Sequence, residues 1–334
     1  MKKILQILNL KTYFFAVDEK SNKEIILKAV DDVSLDVYED EILGIVGESG
    51  SGKTVTAQSI MQLIPEPSGK IVSGEIFYKG EDVLKKHGEE LRKIRGKEIA
   101  YIFQETYSSL NPVLTIEEQI CEVITTHLDK SYDEARQISV DLLISMGIKD
   151  AKDRIKDYPH QFSGGMRQRI ALAMALAAKP SLLIADEPTT MLDVTIQQQI
   201  LDLLLTIKKN KQLTSVIFIT HNLGLVSKYC DRVAVMYAGK IQEVSSVSEI
   251  MKTPLHPYTK GLLSASAFLK DKDNKVYTIP GNTPSLKELP RGCKFCNRCS
   301  EAFDKCFISE PDLIEINPNH FVRCHLYQET KINE

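Results

Sequence analysis

Gly47-Glu48-Ser49-Gly50-Ser51-Gly52-Lys53-Thr54 is the stretch on which the reading of this chain turns. It follows the apolar run Ile42-Leu43-Gly44-Ile45-Val46 and leads into Val55-Thr56-Ala57-Gln58-Ser59-Ile60-Met61. The order is buried strand, glycine-rich turn and helix start, and it matches G-x-x-x-x-G-K-[ST] in the context that gives the pattern meaning. Glycines let the backbone wrap closely around a polyphosphate, so that successive N–H groups point inward as an anion nest. The helix N-terminus adds its partial positive charge. Lys53 can reach the β- and γ-phosphates, and Thr54 offers its hydroxyl to Mg²⁺. A strand–helix turn that merely used glycine would not also carry Lys-Thr in register. The stretch predicts a nucleoside triphosphate site in an α/β fold.

Composition narrows the class of protein around that site. At 334 residues the chain has room for about two domains with ample core. Hydrophobic residues make up 43% and charged residues 26%, as in soluble globular proteins. The net charge of −3 gives no electrostatic footprint for nucleic acid or anionic lipid, and nucleic acid is not an expected partner. Met1-Lys2-Lys3-Ile4-Leu5 faintly resembles a secretory leader. However, Gln6, Asn9 and Lys11 break its apolar core and no small-residue cleavage site follows. The apolar run Ile170–Ala178 stops at Lys179-Pro180, too short to cross a bilayer. These features place the chain in the cytosol, with any membrane role exercised through partners. Five of the seven cysteines lie between Cys293 and Cys324. In a reducing compartment that crowding points to metal rather than disulfides.

Residues 4–38 alternate apolar and polar side chains in short runs, which predicts antiparallel strands with a charged hairpin tip over Asp18–Glu24. Pro65-Glu66-Pro67-Ser68-Gly69 predicts a turn, followed by a strand pair around Gly74–Tyr78 and Ile99–Phe103. From about Glu105 to Tyr158 apolar residues recur at three- and four-residue spacing, a helical insert in which Ser131-Tyr132-Asp133-Glu134 reads as a capping box. Strand–helix alternation then resumes. A helix over 165–178, strand Leu182–Ala185, helix Thr195–Lys208 and strand Val216–Thr220 lead to strands Arg232–Met236 and Lys240–Val244.

Leu182-Leu183-Ile184-Ala185-Asp186-Glu187 ends a buried strand with two carboxylates. A triphosphate site needs one acidic group oriented toward Mg²⁺ and a base that positions the attacking water. Asp186 suits the first task and Glu187 the second. Gln104 ends the strand Ala100-Tyr101-Ile102-Phe103, where an amide either ligates the metal, orients water, or simply terminates the strand. His221 follows Val216–Thr220, and a parallel strand would set it at the carboxyl edge of the sheet, where ligands gather. Ser163-Gly164-Gly165-Met166-Arg167-Gln168 is a second glycine-containing helix start, with Ser163 as N-cap and free N–H groups for another phosphate. One chain already has its phosphate loop, so a second such start suggests service to a neighbour's nucleotide.

With these residues in order, residues 1–244 resemble the ATPase subunit of an ABC transporter. The motifs are Ser163-Gly164-Gly165 before a basic helix, Asp186-Glu187-Pro188-Thr189-Thr190, Leu192-Asp193 and His221. The resemblance implies an α/β P-loop core with an antiparallel β subdomain and a helical subdomain over about 105–160. It implies a head-to-tail pair of ATPase subunits, each ATP clasped by Gly47–Thr54 of one and Ser163–Gln168 of the other. Asp186 would hold Mg²⁺ through water, beside the metal ligands Thr54 and Gln104. Glu187 would be the general base and His221 would contact the γ-phosphate. Gln104 would also couple the site to the membrane subunits, and Asp193 would bridge the two ATPases. Adenine would stack on Phe14, favoured by the family spacing, or on the adjacent Tyr13. Met166 replaces the usual Gln of the signature, as is common in the peptide-transport branch, and Met191 stands where a small residue is usual.

Residues 245–334 resemble the C-terminal extension of dipeptide and oligopeptide permease ATPases. The resemblance opens at Pro254-Leu255-His256-Pro257-Tyr258-Thr259-Lys260-Gly261-Leu262-Leu263 and includes the linker Pro280-Gly281-Asn282-Thr283-Pro284. His256 and Tyr258 read as structural. Five cysteines follow as Cys293-x2-Cys296-x2-Cys299-x6-Cys306-x17-Cys324. Clustered thiolates mean zinc or an iron–sulfur cluster. Tight C-x-x-C-x-x-C spacing leans to [4Fe–4S] through Cys293, Cys296 and Cys299, with Arg291, Lys294, Arg298 and Arg323 offsetting its charge. His320 and His325 keep a zinc alternative. The family resemblance instead implies Cys293, Cys299, Cys306 and Cys324 as [4Fe–4S] ligands, with Cys296 spare. Cys121 and Cys230, isolated in the sequence, read as unligated core cysteines. The whole chain then reads as the ATP-hydrolysing subunit of a peptide importer at the cytoplasmic face of the membrane. Its implied partners are a paralogous ATPase, two transmembrane permease subunits and an extracytoplasmic peptide-binding protein. The alternatives are an importer for nickel or another small solute, or a soluble ABC ATPase without a transport role.

Overall fold

The computed structural model describes residues 2–18, 22–104, 109–189, 193–210, 213, 215–266 and 278–328. Two compact units emerge, Met1–Leu84 with Phe218–Glu334, and Lys85–Ile217.

The first unit contains an antiparallel sheet built on strand Lys3–Val17. It pairs on one side with Glu24–Tyr38 and on the other with Gly69–Tyr78, which carries the short strand Glu81–Asp82. The buried side chains of Lys3–Val17 change phase along the strand. Leu5 and Ile7 are buried before Asn9, Leu10 and Thr12 after it. Asn9 adopts φ 47° at the register shift between Ile7 and Leu10. The extra residue of this bulge moves the apolar set from odd to even positions and so keeps one face on the core.

The same unit holds the strands Ile314–Asn317, His320–Val322, Lys240–Ser246, Arg232–Tyr237 and Ile42–Val46, neighbours in that order. Ile42–Val46 runs parallel to Arg232–Tyr237. All five of its residues are buried, as expected of a parallel strand covered on both faces. The expected division at 244 falls inside the strand Lys240–Ser246. The segment after it packs in the same compact unit as Met1–Leu84. Glu243 explains the attachment. Its buried carboxylate accepts the backbone N–H groups of Leu255 (2.7 Å) and His256 (2.9 Å) and pairs with His320 Nε2 at 2.8 Å. A buried charge with three hydrogen bonds is tolerated, and removing any partner would strand it.

In the second unit, Ile99–Ile102 pairs in parallel with Leu182–Asp186. The expected pairing of Gly74–Tyr78 with Ile99–Phe103 is therefore wrong: Gly69–Tyr78 belongs with Lys3–Val17. Both runs have strand-forming composition, and composition carries no information about the partner. The helical insert comprises Ile116–Leu128, Tyr132–Ser145 and Ala151–Arg154. Ser131 forms the expected capping box with Glu134, and Thr115 forms another with Glu118, each cap stabilising its helix by about 1 kcal/mol. Residues 105–108 lie outside the described residues. The helix Gly88–Ile94 escaped the sequence reading because its polar first turn has no apolar period. Leu223–Tyr229, in the first unit, is only two turns long.

Candidate active site

The phosphate loop connects the buried strand Ile42–Val46 to the helix Lys53–Ile60. Its glycines are sterically required. A Cβ on Gly47 would lie 2.1 Å from the Met236 carbonyl oxygen. Gly52 has φ +98°, and its Cβ would lie 2.4 Å from the Ala29 carbonyl oxygen. The neighbouring hairpin holds the loop from outside, since Gly239 N–H donates to Ser51 O at 2.9 Å. Lys53 is 5% exposed. Its Nζ donates to the carbonyls of Gly47 (2.9 Å) and Glu48 (3.0 Å). Ser51 Oγ is buried without a hydrogen-bond partner. An orphaned hydroxyl beside a buried ammonium and a nest of N–H groups fits an oxyanion-rich ligand. Ser49 and Gly50 are exposed, and Thr54 is half-buried at the helix start.

Of the two candidate adenine platforms, Tyr13 donates its hydroxyl to Asp31 Oδ1 at 2.6 Å. Burial and that carboxylate push the Tyr13 hydroxyl well above its ordinary range. Asp31 N–H in turn donates to Gly239 O, which ties Tyr13 to the hairpin that braces the phosphate loop. Phe14 lies against Gly69, where an added Cβ would come 2.8 Å from its ring. Both rings are half-buried.

In the second unit, Asp186 is 1% exposed and accepts the Tyr101 hydroxyl at 2.9 Å. Burial and the carboxylate push the Tyr101 hydroxyl upward, so it stays protonated and orients Asp186. Gln104 Nε2 donates to Glu187 Oε2 at 3.2 Å, which brings together two residues singled out separately from sequence. Glu187 adopts φ 45° between the buried Asp186 and Pro188. Left-handed backbone at a non-glycine residue costs roughly 1–3 kcal/mol and persists where the surroundings impose it. Ser163 caps the helix Gly164–Leu176 by accepting Met166 N–H. Gly165 faces Ile196, 2.9 Å from its Cβ position. Met166 Sδ is 3.9 Å from Arg154 Nη1. Asp193 Oδ1 caps the helix Val194–Lys209 by accepting Ile196 N–H at 2.9 Å. Met191 lies outside the described residues. In the first unit, His221 is exposed directly after the strand Ser215–Thr220.

The family profile described as ABC transporter matches residues 30–190, and that of the oligopeptide/dipeptide transporter C-terminal region matches residues 242–306. The oligopeptide transport ATP-binding protein AppD of Bacillus subtilis (strain 168) is 46% identical over 98% of both chains. This chain belongs to the ABC transporter family. Within it, the chain is an ATP-binding subunit of the oligopeptide/dipeptide branch, and it is an ATPase. OppD of the same organism, another oligopeptide transport ATP-binding protein, is 48% identical over 90% of this chain and 84% of its own. The ATP-binding cassette MJ0796, in a dimeric post-hydrolysis structure with ADP and Pi, superposes with a TM-score of 0.63 at 26% identity. That match covers 73% of this chain and 98% of the cassette.

The cysteine segment of this ABC ATPase is compact. Cys293, Cys296, Cys306 and Cys324 are buried and Cys299 is half-buried. Cys293 N–H donates to Cys306 O at 2.8 Å, an approach that Gly292 permits because its Cβ would meet that same oxygen at 2.2 Å. Burial, reinforced by the neighbouring thiols, pushes Cys293 up to about 12 and Cys324 up to about 11. Among the described residues, no three His, Cys, Asp or Glu side chains come close enough to hold a single metal ion. The zinc alternative loses its histidines: His320 pairs with Glu243, and His325 is occupied by Ser309 O (2.8 Å) and Gln328 Oε1 (3.1 Å). The charge-offsetting role expected for Arg298 also fails, because that side chain is committed to Glu48. Arg323 spends its guanidinium on the carbonyls of Ile241 and Pro311, and Lys294 is drawn to Pro290 O and Glu310. Cys296 Sγ points to Asn297 Oδ1 at 3.5 Å. Gly292→Ala should therefore push Cys293 and Cys306 apart and lower stability by about 1–3 kcal/mol, measured by chemical unfolding. An unchanged midpoint would mean that the segment relaxes freely.

No motif in the sequence singles out Tyr101 or Thr283, and Arg298 stands out there only as a cation beside the cysteines. Tyr101 stands beside Gln104 without any motif of its own. The contacts of Thr283 and Arg298 with Glu48 span 235 and 250 residues, so no local pattern announces them.

Proposed function

We propose that this ABC ATPase powers the import of di- or oligopeptides through a membrane transporter. The observation that carries this reading is that the phosphate-loop core and the C-terminal region both match the same peptide-transport branch. Among the described residues no helix is long and apolar enough to cross a membrane, so the energy of hydrolysis reaches the bilayer through partner subunits. Those partners are two transmembrane permeases, a paralogous ATPase stacked head to tail, and an extracytoplasmic peptide-binding protein. The chain's place is peripheral, on the cytoplasmic face.

The chemistry is assigned residue by residue. Residues 47–54 bind the triphosphate, with Lys53 exchanging its loop carbonyls for phosphate oxygens. Thr54, Gln104 and, through water, Asp186 would hold Mg²⁺, which neutralises developing phosphate charge. Glu187 takes the proton of the attacking water, positioned by the Gln104 amide. His221 contacts the γ-phosphate. Ser163, Gly164 and Gly165 serve the nucleotide of the partner ATPase, and Asp193 bridges the two. Adenine stacks on Phe14 or Tyr13. Residues 1–244, with the helical subdomain over about 105–160, act as the motor, and residues 245–334 as the branch-specific extension. In vesicles containing the complete transporter, labelled di- or oligopeptide should enter only with ATP, and peptide should stimulate hydrolysis. Uptake of nickel ion instead, with peptides inert, would transfer the chain to the small-solute importers.

Cys293, Cys299, Cys306 and Cys324 are further proposed to hold a [4Fe–4S] cluster. The support is a set of four sulfurs, three buried and that of Cys299 half-buried, with Cys306 in the electrostatic reach of the other three. A cube holds its sulfurs farther apart than one ion does, which is compatible with the lack of a single-ion site. The group would supply a structural staple or an electron, and no step of hydrolysis passes through it. Anaerobic protein should carry about four iron and four sulfide per chain, retained in Cys296→Ser and lost in Cys299→Ser. Iron-free, sulfide-free protein with unchanged stability would remove the cluster.

A further inference from the structure

The side chain of Glu48 projects from the phosphate loop into the C-terminal segment. Arg298 Nη1 and Nη2 donate to its two carboxylate oxygens at 2.6 and 3.0 Å, a bidentate pair. Thr283 Oγ1 adds a third bond at 2.6 Å. The Glu48 backbone N–H donates to the Tyr258 hydroxyl at 2.9 Å, so this N–H is not offered to phosphate and the nest begins after it. Arg298 is itself held in place: its guanidinium donates to Tyr237 Oη at 3.2 Å and to Pro280 O at 2.8 Å, and it lies 5.9 Å from the Phe295 ring centre. Its side chain is 7% exposed and that of Glu48 27%, so the pair is screened less than a fully exposed one.

The charge logic is specific. Glu48 belongs to the loop that must receive a polyanion, and its carboxylate feels both Arg298 and Lys53. Burial opposes ionisation, but the bonds from Arg298 and Thr283 hold the carboxyl below its ordinary range. Lys53 Nζ is bonded to the Glu48 carbonyl, so the main chain of Glu48 sets where the ammonium rests. We propose that Arg298, seconded by Thr283, is a positioning residue of the nucleotide site that neutralises Glu48 and keeps Lys53 for the phosphates. Without Arg298, the Glu48 carboxylate is left to the field of Lys53, and the formal charge that the loop and its clamp present to ATP falls from +1 to zero. The C-terminal segment is thereby part of the ATP-binding apparatus of this chain, although it supplies no atom that touches nucleotide.

The test is the steady-state ATPase of the full chain in its transporter, with KM and kcat read separately. R298A should raise the KM for ATP about tenfold, the loss of one charge-assisted contact, and leave kcat within about twofold. The double variant R298A/E48Q should recover KM to within about threefold of wild type, because the uncompensated charge has gone. A purely structural clamp predicts no recovery, since the double variant lacks both halves. An unchanged KM in R298A, or a double variant as weak as the single, overturns the proposal. Should R298A fail to fold, Thr283→Val and Arg298→Lys give the same reading. Each should raise KM by about two- to fivefold, and E48Q should cancel each increase; KM values that E48Q leaves raised overturn it equally.

Discussion

Glu187→Gln should arrest ATP hydrolysis while nucleotide still binds, with kcat lower by about 10²- to 10⁴-fold, the usual worth of a positioned general base. The substitution keeps the shape of the side chain and its contact with Gln104, now 3.2 Å from Oε2. It removes only the group able to take a proton from water. Glu187 sits in left-handed backbone at φ 45°, directly after the buried Asp186 that Tyr101 orients. The strain therefore aims the side chain, and the amide variant inherits the aim. Phosphate release under saturating ATP and binding of a fluorescent ATP analogue separate the two effects. Turnover within about threefold of wild type would reassign the base to another residue.

Lys53→Ala should act on the other side of the reaction and remove binding. The ammonium is 5% exposed at the first position of its helix, bonded to two loop carbonyls. Exchanging those carbonyls for phosphate oxygens replaces neutral acceptors with charged ones, each such bond worth about 1.5–3 kcal/mol. Two of them lost correspond to at least about a hundredfold in affinity for ATP, read by calorimetric titration. ADP should suffer less, since it lacks the γ-phosphate. A fall of less than about fivefold for ATP would mean that the backbone nest alone supplies the affinity. The two variants together test the proposed division between capture, in residues 47–54, and chemistry, at Asp186-Glu187.

Much of this was legible in the residues because the relevant physics is local. A glycine pattern between a buried strand and a helix start has few other uses, and steric limits on Gly47 and Gly52 explain why only glycine stands there. Helix caps such as Ser131 and Ser163 depend on residues three positions away, so they too are visible in sequence. Strand partnership is different. Gly69–Tyr78 and Ile99–Ile102 both have strand-forming composition, and nothing in either names its partner, Lys3–Val17 and Leu182–Asp186 respectively.

The sequence by itself determined that this chain binds ATP, which residues stand in the phosphate loop and at the carboxylate strand end, and which transporter branch it resembles. Only the tertiary structure decided that Tyr101 orients Asp186, that His320 and His325 are committed away from the cysteines, and that Arg298 answers Glu48. The reason is distance along the chain. A motif records constraints among neighbours in sequence, whereas a buried charge must find its partner wherever folding brings one, here 250 residues away.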